Sequence, residues 1–125
     1  MKKYSLSLLT LVALLTCLTA YSVSSNPSHC KSEQAPKVIK PMADWDIIAT
    51  NVANIDVTSV FSGDKLSYSV SAHPSSRKNI VTINKAKGMI RVQAEKKDDF
   101  DVTVTAKNSC GKAYDKFNVI IDEEE

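Results

Sequence analysis

The sequence has little of what catalysis usually needs. It holds two histidines, three cysteines and one tryptophan in 125 residues. A catalytic site requires a nucleophile beside a base, paired carboxylates in a cleft or a metal constellation. His29 and His73 stand far apart, and the serines around His73 in SAHPSSRK are ordinary loop composition rather than a triad. No C-x-x-C pair is present to suggest a redox centre, and two scattered histidines do not complete a zinc site. No enzymatic activity, metal or cofactor is expected. Glycine is also scarce, three in all, so each one is read as a backbone requirement. Beyond the N-terminus no run is apolar enough to cross a bilayer. No stretch of ten or more later residues keeps a helical period, so helix is not expected beyond a turn near Thr58 to Phe61.

The first twenty residues, MKKYSLSLLTLVALLTCLTA, put Lys2 and Lys3 ahead of an apolar run from Leu6 to Leu18 with small residues after it. That is the layout of a secretory signal, which predicts an extracytoplasmic protein, periplasmic or secreted. Within it LLTC resembles a bacterial lipobox, with Thr16 where Gly, Ala or Ser normally stands. Cleavage near Ala20 to Ser24 is the favoured outcome, and a lipid anchor at Cys17 is the alternative.

Lys2 and Lys3 leave with the signal, and what remains is 14 basic against 14 acidic residues. A near-neutral chain argues against a nucleic-acid partner. Arg77, Lys78, Lys85, Lys87, Lys96 and Lys97 are followed by Asp98, Asp99 and Asp101, the composition of a solvated mixed-charge face. Cys30 and Cys110 are then left to pair in an oxidising compartment. Such a disulfide closes a loop of roughly 80 residues and contributes up to about 4.5 kcal/mol. It would pin the N-terminal lead to one end of the domain.

Residues 21–43, rich in serine and carrying Pro27, Pro36 and Pro41, read as an extended arm. From Asp44 to Glu125 the dominant period is two, over a length that supports one small core. In FDVTVTAK, Phe100, Val102, Val104 and Ala106 face one way and Asp101, Thr103, Thr105 and Lys107 the other. The same alternation runs through KLSYSVSA and KFNVII. NIVTIN and GMIRVQA flank a hairpin turn at Lys85 to Gly88, and NSCGK joins the last two strands with Gly111 at positive φ. DIIA and NIDV add short strands, and Trp45 is placed at an edge of the core. About seven short strands predict an all-β antiparallel sandwich. The closing Asp122 to Glu125 reads as a solubilising tail.

The order of these features resembles the dystroglycan-type, cadherin-like immunoglobulin-fold modules of bacterial secreted and surface proteins. Asp56, Phe61, Asp64, Leu66, Tyr68, Gly88, Val102 to Ala106, Gly111, Phe117 and Val119 fall in the matching order. Such modules often bind calcium through acidic turns, and calcium takes six to eight oxygens. Here S-G-D leaves Asp64 alone, and Asn108 stands in place of a second aspartate. A calcium site is therefore not expected, and Asp64 is read as a turn residue bonding local amides. The family usually occurs in tandem or beside a catalytic domain, whereas one module follows the signal and arm here. The resemblance implies a binding module that recognises a protein or glycan through end loops or by strand addition at a sheet edge. The alternative is a small periplasmic inhibitor or immunity protein that blocks a hydrolase or toxin; a structural subunit of an envelope complex is a third.

Overall fold

The computed structural model describes residues 30–125. The expected secretory signal, Cys17 and His29 lie outside the described residues. The chain forms β1 (Lys37–Val38), β2 (Trp45–Ile48), β3 (Val52–Asp56), β4 (Phe61–Ser62), β5 (Ser67–Ala72), β6 (Ile80–Asn84), β7 (Met89–Gln93), β8 (Asp98–Asn108) and β9 (Gly111–Asp122). No helix occurs among the described residues. The sequence-predicted strands correspond to the longer elements. The short pair β1 and β4 has no counterpart in the alternation, because two residues carry no period.

Two sheets face each other. One has the order β2-β9-β8-β5, the other β3-β7-β6, and β1 pairs with β4 apart from both. All pairs are antiparallel except β2 on β9. The alternation explains the packing: Val102, Val104, Val119 and Ile121 from one sheet and Ile90 and Val92 from the other are wholly buried. Burying a branched aliphatic side chain is worth about 1.5–3 kcal/mol, so this interdigitated layer is the main source of stability. Trp45 is half-buried on edge strand β2 and packs against the cluster.

The expected boundary at residue 44 is corrected. The described part of the expected arm, residues 30–43, is built into the domain. β1 lies within it, Ile39 N–H donates to the Val60 carbonyl at 2.7 Å, and Met42 N–H donates to the Asp115 carboxylate at 2.7 Å. Cys30 and Cys110 form a disulfide with Cα atoms 5.7 Å apart. The prolines that suggested a tether remove backbone donors without preventing docking, and Pro36 is buried.

Candidate binding surface

The structure corrects the reading of FSGDKL. The Asp64 side chain is exposed. Its backbone N–H donates to Gln34 O at 3.1 Å, and its own carbonyl accepts from Asn108 Nδ2 at 2.8 Å. Asn108 Nδ2 also donates to Gln34 O at 2.6 Å, while Cys110 N–H donates to Asn108 Oδ1 at 2.8 Å. One side-chain amide thus ties three chain segments together beside the disulfide. Gly63 has φ +147°, and a Cβ there would lie 2.9 Å from Leu66 and 3.2 Å from the Pro36 backbone. The glycine makes room for the docked lead.

The turn carboxylate that bonds local amides is Asp56. Its Oδ1 accepts from the Thr58 hydroxyl at 2.6 Å and the Thr58 N–H at 2.8 Å, and these bonds hold its pKa below the ordinary aspartate value. Burial, aided by the nearby Asp56 charge, pushes the Tyr68 hydroxyl up. At the opposite pole Asn79 is buried and satisfied: its Nδ2 donates to Lys96 O and Asp98 Oδ2, and its Oδ1 accepts from the Glu95 and Lys96 amides. Desolvation pushes the Asp98 carboxyl up. Bonds from Ser76 N–H, the Asn79 amide, Asp99 N–H and the Ser75 side chain outweigh it and hold the pKa below its usual value.

Three surfaces remain as candidate sites. Strand register sets the outer face of β3-β7-β6 in rows: Val52, Gln93 and Ile80; Asn54, Arg91 and Thr82; Asp56, Met89 and Asn84. Val52 and Ile80 are each 45% exposed and Met89 is 38% exposed. Arg91 stands central, its Nη1 donating to Gln93 Oε1 at 3.2 Å. A shallow depression of about 480 Å³ is lined by Asn54, Thr82, Ile83, Asn84, Lys87, Met89 and Arg91. Apolar side chains around an arginine, ringed by amides, are the composition of a protein-contact patch.

The second surface is the open edge of β5. Tyr68 N–H points away from β8 and donates to Lys85 O at 2.9 Å, so by alternation Val70 and Ala72 turn their backbone groups outward along the same edge. The third holds His73. It lines a shallow depression with Asp99, Phe100, Asp101 and Asn118. The carboxylates there are engaged: Asn118 Nδ2 donates to Asp99 at 2.8 Å and to Asp101 at 3.2 Å, and Lys116 Nζ lies 3.8 Å from Asp101. No serine is placed as a nucleophile in this lining.

No family model and no curated protein sequence matches the chain. Solved structures do match in shape. An alpha-galactosidase/melibiase of provisional assignment from Bacteroides fragilis superposes with a TM-score of 0.57 at 17% identity, over 71% of this chain and 18% of that one. A nucleoside hydrolase-related protein from Saccharophagus degradans, described as associated with carbohydrate metabolism, gives 0.51 at 21% identity, over 81% and 28%. Titin domain M7 gives 0.51 at 15% identity, over 70% of this chain and 93% of that domain.

The fold is immunoglobulin-like. The chain spans 18% of the Bacteroides fragilis chain, so that likeness concerns the fold of one part of it. Within the immunoglobulin-like sandwich, the cysteines singled out from the sequence are brought together, and Asp64 and Asn108 meet through backbone and amide rather than through paired carboxylates. No group of three or more metal-ligating side chains gathers among the described residues. Sequence reasoning missed Arg91 and its apolar neighbours. The signal was present in GMIRVQA, where Met89, Arg91 and Gln93 form the outward half of the alternation.

Proposed function

We propose that this chain is a non-catalytic, extracytoplasmic binding module that holds a protein partner on the outer face of β3-β7-β6. The observation that carries the reading is Arg91, central on this sheet face and flanked by exposed Val52, Ile80 and Met89. Arginine offers a planar fork of donors to a carboxylate, and the apolar flanks supply desolvated contact. A protein suits this face better than a glycan, because no aromatic ring stands on it for a sugar to stack upon. The motif order resembling cadherin-like modules supports the same reading. The disulfide and the signal-like N-terminal sequence support an oxidising compartment outside the cytoplasm.

The test is site-specific photo-crosslinking from Thr82 in the native host. A discrete adduct that disappears with Arg91→Glu, while the variant melts like the parent, supports the reading. An adduct that persists unchanged with Arg91→Glu, or no adduct at all, sinks it. His73→Ala is expected to leave partner capture unchanged; a hydrolytic activity that vanishes with that substitution would overturn the non-catalytic assignment. If the captured protein is a hydrolase or toxin that the chain inactivates, the module acts as an inhibitor.

A further inference from the structure

The outer face of β2-β9-β8-β5 is a different surface, and its charges are sorted by sign along the strands. Register aligns Ser67, Lys107 and Lys112 in one row and Ser69, Thr105 and Tyr114 in the next. Ser71, Thr103 and Lys116 follow, then Asp101 and Asn118. Asp99, Ile120 and Asp46 make the next row, and Asp122 with Ile48 closes the face. Asp44 joins the acidic half, accepting from Asn118 N–H at 2.8 Å. The cations Lys107, Lys112 and Lys116 occupy one half, and aspartates dominate the other, with Lys97 beside Asp122 at its far end. Tyr114 is 62% exposed in the basic half, and Ile120 is half-exposed in the acidic half.

We propose that this face docks a second copy of the same chain about a two-fold axis that lies in the interface, parallel to the sheet and across the strands, between the Lys116 and Asn118 rows. A two-fold contact requires one patch to complement itself when reversed. Reversal about that axis sets the Lys116 row of each copy on the row of Asp101 and Asn118 of the other, so that Lys116 lies over Asn118 and reaches the Asp101 carboxylate one strand across. It also sets the Tyr114 row on the row of Ile120, Asp99 and Asp46, so the exposed ring covers the half-exposed isoleucine. The strongest positive row meets the acidic end. A face with one sign of charge throughout would repel its copy; this one attracts it only in the reversed orientation.

Size fixes the strength. The rows from Lys112 to Asp122 span ~34 Å at the antiparallel rise, and four strands span ~17 Å, so a pair of faces buries on the order of 1,100 Å² in total. That lies at the lower limit for specific complexes, which fits a weak, reversible and hydrated dimer. With Arg91 on the opposite sheet, self-association leaves the partner face free.

Sedimentation velocity on the full gene product from an oxidising expression host tests the proposal. The parent is expected to show a sedimentation coefficient rising over about 10 μM to 1 mM in low salt and falling back in half-molar salt, as screening of exposed charges requires. Lys116→Glu and Asp101→Lys should each lose the rise. An equimolar mixture of the two variants should regain it, because in the mixed pair position 116 of either copy again faces a charge of opposite sign at position 101 of the other. Recovery in the mixture supports the face-to-face dimer. A parent that stays monomeric throughout overturns it, as does a dimer indifferent to both substitutions. A foreign protein whose binding is lost with Lys116→Glu, while the parent remains monomeric, assigns the face to that partner and equally overturns the proposal.

Discussion

Asn108 offers the sharpest test of how this domain is held together. Substituting Asn108→Asp changes one atom type and almost no volume. The acceptor that meets Cys110 N–H at 2.8 Å is retained. The donor that meets Gln34 O at 2.6 Å and Asp64 O at 2.8 Å becomes an anionic oxygen facing two carbonyl oxygens. Two hydrogen bonds at about 1 kcal/mol each are lost, and the repulsion of three like partial charges adds to that. We expect a destabilisation of about 2–4 kcal/mol at neutral pH. With a urea m-value on the order of 1 kcal/mol/M, the midpoint falls by about 2 M or more. The disulfide keeps Cys30 beside Cys110, so part of the loss emerges as undocking of the lead. Hydrogen exchange at the Asp64 amide, bonded to Gln34 O, reports that component. Acid gives a second signature. The carbonyl oxygens disfavour the ionised variant carboxylate and raise its folded-state pKa, so the deficit shrinks as pH falls through that value and one donor is restored. Millimolar calcium or EDTA should leave the parent midpoint unchanged. An Asp variant within about 0.5 kcal/mol of the parent at pH 7, with no acid recovery, would refute the reasoning.

Three further outcomes follow from the same contacts. Gly88→Ala forces an alanine to φ +66° with its Cβ 2.9 Å from Thr58 and 3.0 Å from Tyr68, so thermal or urea melts should show a loss of at least about 1–2 kcal/mol. Cys30→Ser with Cys110→Ser opens a loop with a sequence separation of 80, and the double variant should lose about 2–4.5 kcal/mol against the oxidised parent, the same loss that a reductant produces. Asp98 and Asp56 both have depressed pKa values, so their contribution is present above the unfolded carboxyl range and is lost as pH falls through the folded values. An acid melt should therefore show a decline below that range that is shallower in Asp98→Asn.

How much could be read beforehand depended on the range of each interaction. FDVTVTAK was legible because strict alternation with one apolar half leaves a single way to bury it, and Gly88 was legible because a hairpin between two such strands needs a left-handed residue. The parallel docking of β2 on β9 was not, since it joins Trp45 to Val119 and no local pattern encodes a partner that distant. The docked lead was misread for a related reason. Its composition is that of a tether, while its anchors are Asp115 and Asn108, each more than seventy residues away. The choice between Asp56 and Asp64 as the bonded turn carboxylate was equally hidden: both stand in turn-like sequence, and only the backbone path decides which one faces free amides. For the surfaces, alternation identified the outward residues of each strand. Register was needed to bring Arg91 between Asn54 and Thr82, and to sort lysines from aspartates along β8 and β9.

The disulfide also determines how the domain would carry tension. A pull applied ahead of Cys30 and behind Glu125 passes through the covalent bridge to Cys110 and then along β9, so residues 31–109 form a bypassed loop. That loop can release no slack while the bridge is intact. The mechanical element is β9, gripped by β8 on one side and β2 on the other. In single-molecule stretching the oxidised domain should therefore extend by little more than the residues after Cys110, and reduction should release the hidden length. The same bridge makes the module a nearly inextensible link that becomes a long, compliant one under reducing conditions.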